Sequence, residues 1–171
     1  GVQTCALPIS DRDTLAAILD RPDNIPYIGR RGDRVFNFWK DANNPRGLWR
    51  MTDLASFRTP SPRWDVLLDL DELAAKEGED WIWKGAPTLP GSHDRALVGL
   101  SRGGGDASVG REFDLTTRTF VRGGFEMPEA KANVAWLDQD TVLLAAALGD
   151  GMSTQSGYAR TVRLWQRGVD P

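Results

Sequence analysis

Residues 80–114, DWIWKGAPTLPGSHDRALVGLSRGGGDASVGREFD, contain one nearly complete period of the pattern that decides the fold. An aromatic segment around Trp81 and Trp83 runs into a Pro/Gly turn, then an apolar segment at 95–101, a glycine-rich turn, and a further segment at 108–114. Each segment has strand length, and each is bounded by turn residues. The order recurs on both sides. Ile25-Pro26-Tyr27-Ile28 and Val134-Ala135-Trp136-Leu137 repeat the aromatic opening, with 56 residues from Tyr27 to Trp83 and 53 from Trp83 to Trp136. Second strands are expected at 34–39, 95–101 and 141–146, third strands at 47–52, 108–114 and 160–166, and a fourth at 65–70 and 119–121. In Leu48-Trp49-Arg50-Met51 and Val162-Arg163-Leu164-Trp165 apolar and charged residues interleave, so one face packs and the other meets solvent.

Four antiparallel strands in a unit of about 40 to 50 residues form the blade of a β-propeller. A plain β-sandwich is the alternative, but one strand order repeated end to end is not what a Greek key produces. The expected fold is therefore all-β, a partial propeller of three four-stranded blades near residues 25–70, 80–122 and 134–171. Short helices are expected at 15–19 and 71–77, the second with acids in its first turn. Two full units and a third without its last strand fall short of the minimum of about four blades in a closed ring, so the chain reads as a fragment.

Composition narrows the function. The 171 residues carry 21 basic and 24 acidic side chains, a formal charge of −3, which supplies no positive field for phosphates and argues against a nucleic-acid partner. The longest uncharged apolar run, 141–149, is far below the roughly 20 residues that span a bilayer, so no membrane partner is expected. Cys5 is the single cysteine, which leaves neither a disulfide framework nor a cysteine-rich zinc site. Residues 1–9, GVQTCALPI, match the end of a common short-read sequencing adapter codon by codon, and Ser10 fits its last base. Residues 1–10 therefore read as an adapter-like artefact that forms no fold element, with Cys5 foreign to the protein.

Gly99-Leu100-Ser101-Arg102-Gly103 fits the G-x-S-x-G nucleophile elbow of serine hydrolases. The elbow requires strand, sharp turn and helix, whereas Ser101 leads into three glycines and another strand. His93, the single histidine, precedes Ser101 with only Asp94 between them as a third member, so neither hydrolase nor chymotrypsin order is met, and His93 reads as a solvent-exposed turn residue. Residues 105–110 have phosphate-loop spacing, but Arg111-Glu112 replaces the Lys-Ser/Thr pair, so they read as a hairpin loop. Asp69-Leu70-Asp71 and Asp138-Gln139-Asp140 lack the further carboxylates of a calcium loop and read as strand ends and turns. The tryptophans, at strand spacing, read as core before they read as a sugar or peptide platform. No catalytic, cofactor-binding or metal-binding residue is assigned, and no cofactor is expected.

Residues 18–168 resemble the N-terminal propeller region of bacterial prolyl oligopeptidase family serine peptidases. The resemblance is carried by Ile25-Pro26-Tyr27, Asn37-Phe38-Trp39-Lys40-Asp41, Arg46-Gly47-Leu48-Trp49-Arg50 and Val66-Leu67-Leu68-Asp69-Leu70-Asp71-Glu72-Leu73. Leu100-Ser101-Arg102-Gly103-Gly104, Arg111-Glu112-Phe113-Asp114, Gly124-Phe125 and Pro128-Glu129-Ala130-Lys131 add to it. The resemblance implies a seven-bladed ring that gates short proline-containing peptides to a Ser-Asp-His triad in a C-terminal α/β-hydrolase domain, the missing partner on the same polypeptide. It makes residues 11–24 the end of a segment that links the hydrolase domain to the propeller, and it implies that strands near Tyr27, Trp83 and Trp136 line or back the central channel. A cytoplasmic location is expected, with a secreted or periplasmic one as the alternative. The rival functions are a non-enzymatic propeller that binds a protein or carbohydrate and, weakest, a self-contained hydrolase using Ser101.

Overall fold

A computed structural model describes residues 9–19 and 27–171. Helix α1 (Ile9–Leu19) precedes a first sheet of β1 (Ile28–Arg31), β2 (Arg34–Trp39), β3 (Leu48–Asp53) and β4 (Asp65–Asp69), with the one-turn helix α2 (Leu54–Phe57) between β3 and β4. Helix α3 (Leu70–Glu77) leads to a second sheet of β5 (Trp81–Gly85), β6 (Arg95–Arg102), β7 (Ser108–Asp114), β8 (Thr119–Phe120) and β9 (Glu126–Ala130). A third sheet holds β10 (Ala132–Asp138), β11 (Thr141–Ala146) and β12 (Arg163–Gln166). The sheet orders are β1-β2-β3-β4, β5-β6-β7-β8 with β9 also on β7, and β10-β11-β12. Every pairing is antiparallel. Apart from β9, which shares the β7 edge with β8, strands consecutive within a sheet are neighbours in space, so the sheets are meanders and the chain is a row of propeller blades.

The alternation of side chains places two cores between the three sheets. In β6, Ala96, Val98 and Leu100 point one way and Leu97 the other, and all four are 3% exposed or less. The first three join Phe36, Trp49, Trp81 and Phe113 between the first and second sheets. Leu97 joins Phe125, Trp136, Val142, Leu144 and Trp165 between the second and third. A central strand covered on both faces cannot alternate apolar with polar, which explains the continuous apolar run at 96–98. Helix α3 seals the first junction with Leu70, Leu73 and Ala74. It starts where the Asp69 side chain accepts from the Asp71 and Glu72 amides at 2.9 and 3.1 Å, and it stops at Gly78, whose φ of +68° suits a residue without Cβ.

Several expectations need correction. Helix α1 begins at Ile9 rather than 15, so a helix occupies the last two of the residues read as an artefact; residues 1–8 lie outside the described residues. The first strand starts at Ile28, with Tyr27 before it and 96% exposed, while Ile25 and Pro26 lie outside the described residues. The third strand of the last sheet starts at 163 rather than 160, because the Ser153–Ala159 bridge holds the preceding residues in a loop of their own. Strand β9 was not anticipated. Its Pro128 interrupts the donor pattern and confines it to an edge, where it continues the line of β8 along β7. Between β8 and β9 the chain bends over Glu112, whose carbonyl accepts from the Val121 amide and whose amide donates to the Phe125 carbonyl, each at 2.9 Å.

Candidate functional site

Ser101 lies near the end of β6 and is fully buried, its Oγ without a hydrogen-bond partner among the described residues. Gly103 and Gly104, at φ of +61° and +84°, turn the chain directly into β7, so there is no helix to present a nucleophile. His93 precedes the other end of β6, about 20 Å away at roughly 3.3 Å per strand residue, so the two side chains cannot share a proton. A fluorophosphonate probe is expected to leave Ser101 unlabelled, as peptide mapping by mass spectrometry would show. Labelling abolished by Ser101→Ala would reverse this assignment.

His93 is half-buried rather than solvent-exposed. Its carbonyl accepts from Arg34 Nη1 at 2.6 Å and its Nδ1 lies 3.4 Å from Thr88 Oγ1. The same connection offers the Pro87 carbonyl to Trp136 Nε1 at 3.0 Å, so it ties the second sheet to both neighbours. The acidic pairs have structural work. Asp69 caps α3, Asp71 accepts from the Arg46 amide at 3.1 Å, and Asp138 accepts from the Asp140 amide at 2.9 Å in a hairpin turn. Residues 105–110 run from a turn into β7. Among the described residues no group of three or more His, Cys, Asp or Glu could hold a metal ion.

The aromatic residues join blades. Trp83 stacks on Phe38 at 4.9 Å and 7°, with Trp49 at 5.3 Å, and Phe125 meets Trp136 and Trp165 edge-on at 5.6 and 4.8 Å. Ionic contacts run across the same junctions. Arg46, from the β2–β3 connection, pairs with Asp80 ahead of β5. Arg167, just after β12, grips both oxygens of the buried Glu112 on β7 at 2.7 and 3.1 Å, and Glu112 also accepts from the Phe125 amide at 2.9 Å. The spacing of 55 residues between Glu112 and Arg167 carries no local signal, which is why sequence reasoning missed the pair.

A cleft of about 680 Å³ opens where Glu77, Trp81, Arg102, Arg111, Glu126 and Pro128 meet. Its cations are matched from within. Arg111 donates to both oxygens of Glu77 at 2.8 and 3.1 Å, and Arg102 bridges Glu79 and Glu129 at 3.0 and 2.8 Å while lying over the Trp81 ring. Burial pushes the Glu77 carboxyl up, but the hydrogen bonds from Arg111 and from Trp81 Nε1 outweigh it and hold the group below its ordinary value. A depressed carboxyl stabilises the fold above its unfolded-state pKa and loses that contribution as pH falls through the folded value. The tie between α3 and the second sheet is therefore expected to loosen below the ordinary glutamate range, seen as faster amide exchange in α3 of the wild type than of Glu77→Gln relative to their values at neutral pH.

The arrangement is thus a row of propeller blades whose charged and aromatic side chains tie each blade to the next. The chain belongs to the prolyl oligopeptidase family, matching the family described as prolyl oligopeptidase, N-terminal beta-propeller domain, over residues 12–170. It is 40% identical over 153 residues to an uncharacterized peptidase of Sinorhizobium fredii, covering 88% of this chain and 21% of that protein. An uncharacterized peptidase of Rickettsia prowazekii is 34% identical over 142 residues, 78% of this chain and 20% of the relative. Among solved structures, a post-proline cleaving enzyme from Rickettsia typhi superposes with a TM-score of 0.84 at 31% identity, over 95% of this chain and 25% of that one. Oligopeptidase B from Leishmania major, at 11% identity and a TM-score of 0.70 over 93% of this chain and 21% of that one, shares the fold. The chain thus spans about a fifth to a quarter of the length of these relatives.

Proposed function

We propose that this propeller region belongs to a serine-type endopeptidase that cleaves short proline-containing peptides, and that it gates their passage to a C-terminal α/β-hydrolase domain on the same polypeptide. The observation that carries the reading is the match of residues 12–170 to the propeller of a peptidase family, in a chain whose Ser101 and His93 stand toward opposite ends of one strand. The outward face of the third sheet supports a continuation of the ring. Leu143 and Leu164 lie opposite each other there, 37 and 60% exposed, as an unpaired blade face would leave them. Residues 11–24 lead from the hydrolase domain into the first blade. A cytoplasmic location goes with this reading, with a secreted or periplasmic one as the alternative.

The test is the polypeptide encoded by the intact gene. It is expected to cleave a short prolyl peptide, to spare a folded protein with the same motif, and to take up a fluorophosphonate at a serine outside residues 11–171. An intact polypeptide with neither cleavage nor labelling would overturn the proposal.

A further inference from the structure

The third strands of the three sheets set an arginine at one register. Beside the hairpin that joins the first two strands of each sheet, Arg34 pairs with Asp53, Arg95 with Asp114 and Thr141 with Gln166. Three steps further along, Arg50 lies opposite Asn37, Arg111 opposite Val98 and Arg163 opposite Leu144. Val98 is buried toward the first sheet and Leu144 toward the second, so the register faces the preceding blade.

Arg111 shows what the position does when that neighbour is in place. Its guanidinium lies 5.6 Å from the Trp81 ring centre and 4.1 Å from that of Phe120, and it donates to both oxygens of Glu77 on α3, the helix that leads out of the preceding sheet. Arg163, whose preceding blade is also in place, meets the Met152 sulfur at 3.5 Å and, among the described residues, has no ring, no ion pair and an unpaired Nη2, so of the two only Arg111 shows a carboxylate at this position. Arg50 copies Arg111, with its guanidinium 4.7 Å from the Trp39 ring and 4.9 Å from the Trp64 ring. Its one hydrogen bond among the described residues runs from Nε to Asn37 Oδ1 at 2.9 Å, and it has no ion pair among them. Burial lowers its pKa and Asp41 raises it only through space, so the cation is short of an anion in contact. The same face carries two more unmet groups. Asn37 is 3% exposed with Nδ2 unpaired, and Thr52, two residues from Arg50, is 3% exposed with Oγ1 unpaired.

We propose that this backward face of the first sheet receives an aspartate or glutamate from the blade that closes the ring against it, a segment of the same polypeptide outside these 171 residues. The carboxylate accepts from the Arg50 guanidinium as Glu77 accepts from Arg111. A carboxylate is assigned rather than a carbonyl because it neutralises a partly desolvated cation and accepts two parallel N–H bonds. The inference rests on the ring continuing beyond the third sheet, as the proposed function requires.

Carboxylate footprinting tests it on the intact polypeptide, with a carbodiimide and an amine label read by mass spectrometry in wild type and Arg50→Gln. One acidic residue of the last blade is expected to be protected in wild type and to label several times more in Arg50→Gln, while Glu77 and Glu112 stay unchanged. If Arg50→Gln does not fold, Arg50→Lys carries the test, since a lysine keeps the charge but loses the fork, and the same residue should rise by a smaller factor. A last blade whose carboxylates label equally in wild type and variant, or a change confined to Asp41, overturns the inference. Prolyl-peptide cleavage by the wild type is scored separately. A responding carboxylate without cleavage condemns the peptidase reading alone, and cleavage without a responding carboxylate condemns the ring contact alone.

Discussion

Replacing Arg167 with alanine is expected to weaken the joint between the second and third sheets by about 3 kcal/mol, the lower end of the cost of breaking a buried ion pair. Glu112 is 2% exposed, and it would keep only the Phe125 amide at 2.9 Å and Arg95 Nε at 3.6 Å. The guanidinium does more than neutralise. It donates from Nε to Asp140 at 2.9 Å and from Nη2 to the Gln139 carbonyl at 2.6 Å, and it lies over the Phe125 ring at 4.7 Å. One side chain thus fastens the β10–β11 turn, the end of β12 and the centre of β7. Hydrogen bonding to Glu112 and Asp140 raises the Arg167 pKa against the effect of burial, so the pair keeps its charge on this side throughout the working range. Because every 1.4 kcal/mol is a factor of ten, amides of β7 and β12 that exchange through opening of this joint should speed up roughly a hundredfold. Arg167→Lys should recover only part of the loss, since an ammonium cannot reproduce the paired bonds. Exchange rates unchanged within a factor of two in Arg167→Ala would show that the joint is held by its apolar core alone.

Gly47→Ala is expected to destabilise the first blade by about 2 to 6 kcal/mol, from backbone strain of about 1 to 3 kcal/mol and overpacking of similar size. Gly47 has φ of +108°, and a Cβ there would come within 2.5 Å of Phe38 Cζ and 2.7 Å of Cε1. Phe38 cannot turn aside freely, because its ring is stacked on Trp83 of the second sheet. The carbonyl of Gly47 accepts from the Leu70 amide at 3.0 Å, so a shift of this backbone also disturbs the start of α3. Thermal unfolding of the intact polypeptide should show the loss as an earlier transition. Combining Gly47→Ala with Phe38→Ala should cost less than the two changes summed, because the second removes the ring that the first strikes. Full additivity would place the damage in the backbone alone.

Local pattern was legible in the sequence where a segment of strand length is bounded by turn residues. The bounds of β2, β7 and β11 follow from that punctuation. The recurrence of those strands in one order then led to blades rather than a sandwich. The end of α3 could also be read, since its helix formers and first-turn acids lie within the helix itself, whereas its caps Asp69 and Gly78 were not singled out. The misread elements broke those local rules. β9 carries a proline, α1 has no repeating apolar face, and His93 sits in a connection whose burial comes from residues far away in sequence.

What no local rule contains is which face of a blade meets which neighbour. Glu112 with Arg167, Arg46 with Asp80 and Phe38 with Trp83 each join different blades, and their partners are chosen by the stacking of sheets. The sequence by itself determined that this protein is a run of antiparallel blades. Only the tertiary structure decided that Arg50, Arg111 and Arg163 share one register and that Arg50 lacks the anion Arg111 has, because register and charge pairing are properties of assembled sheets.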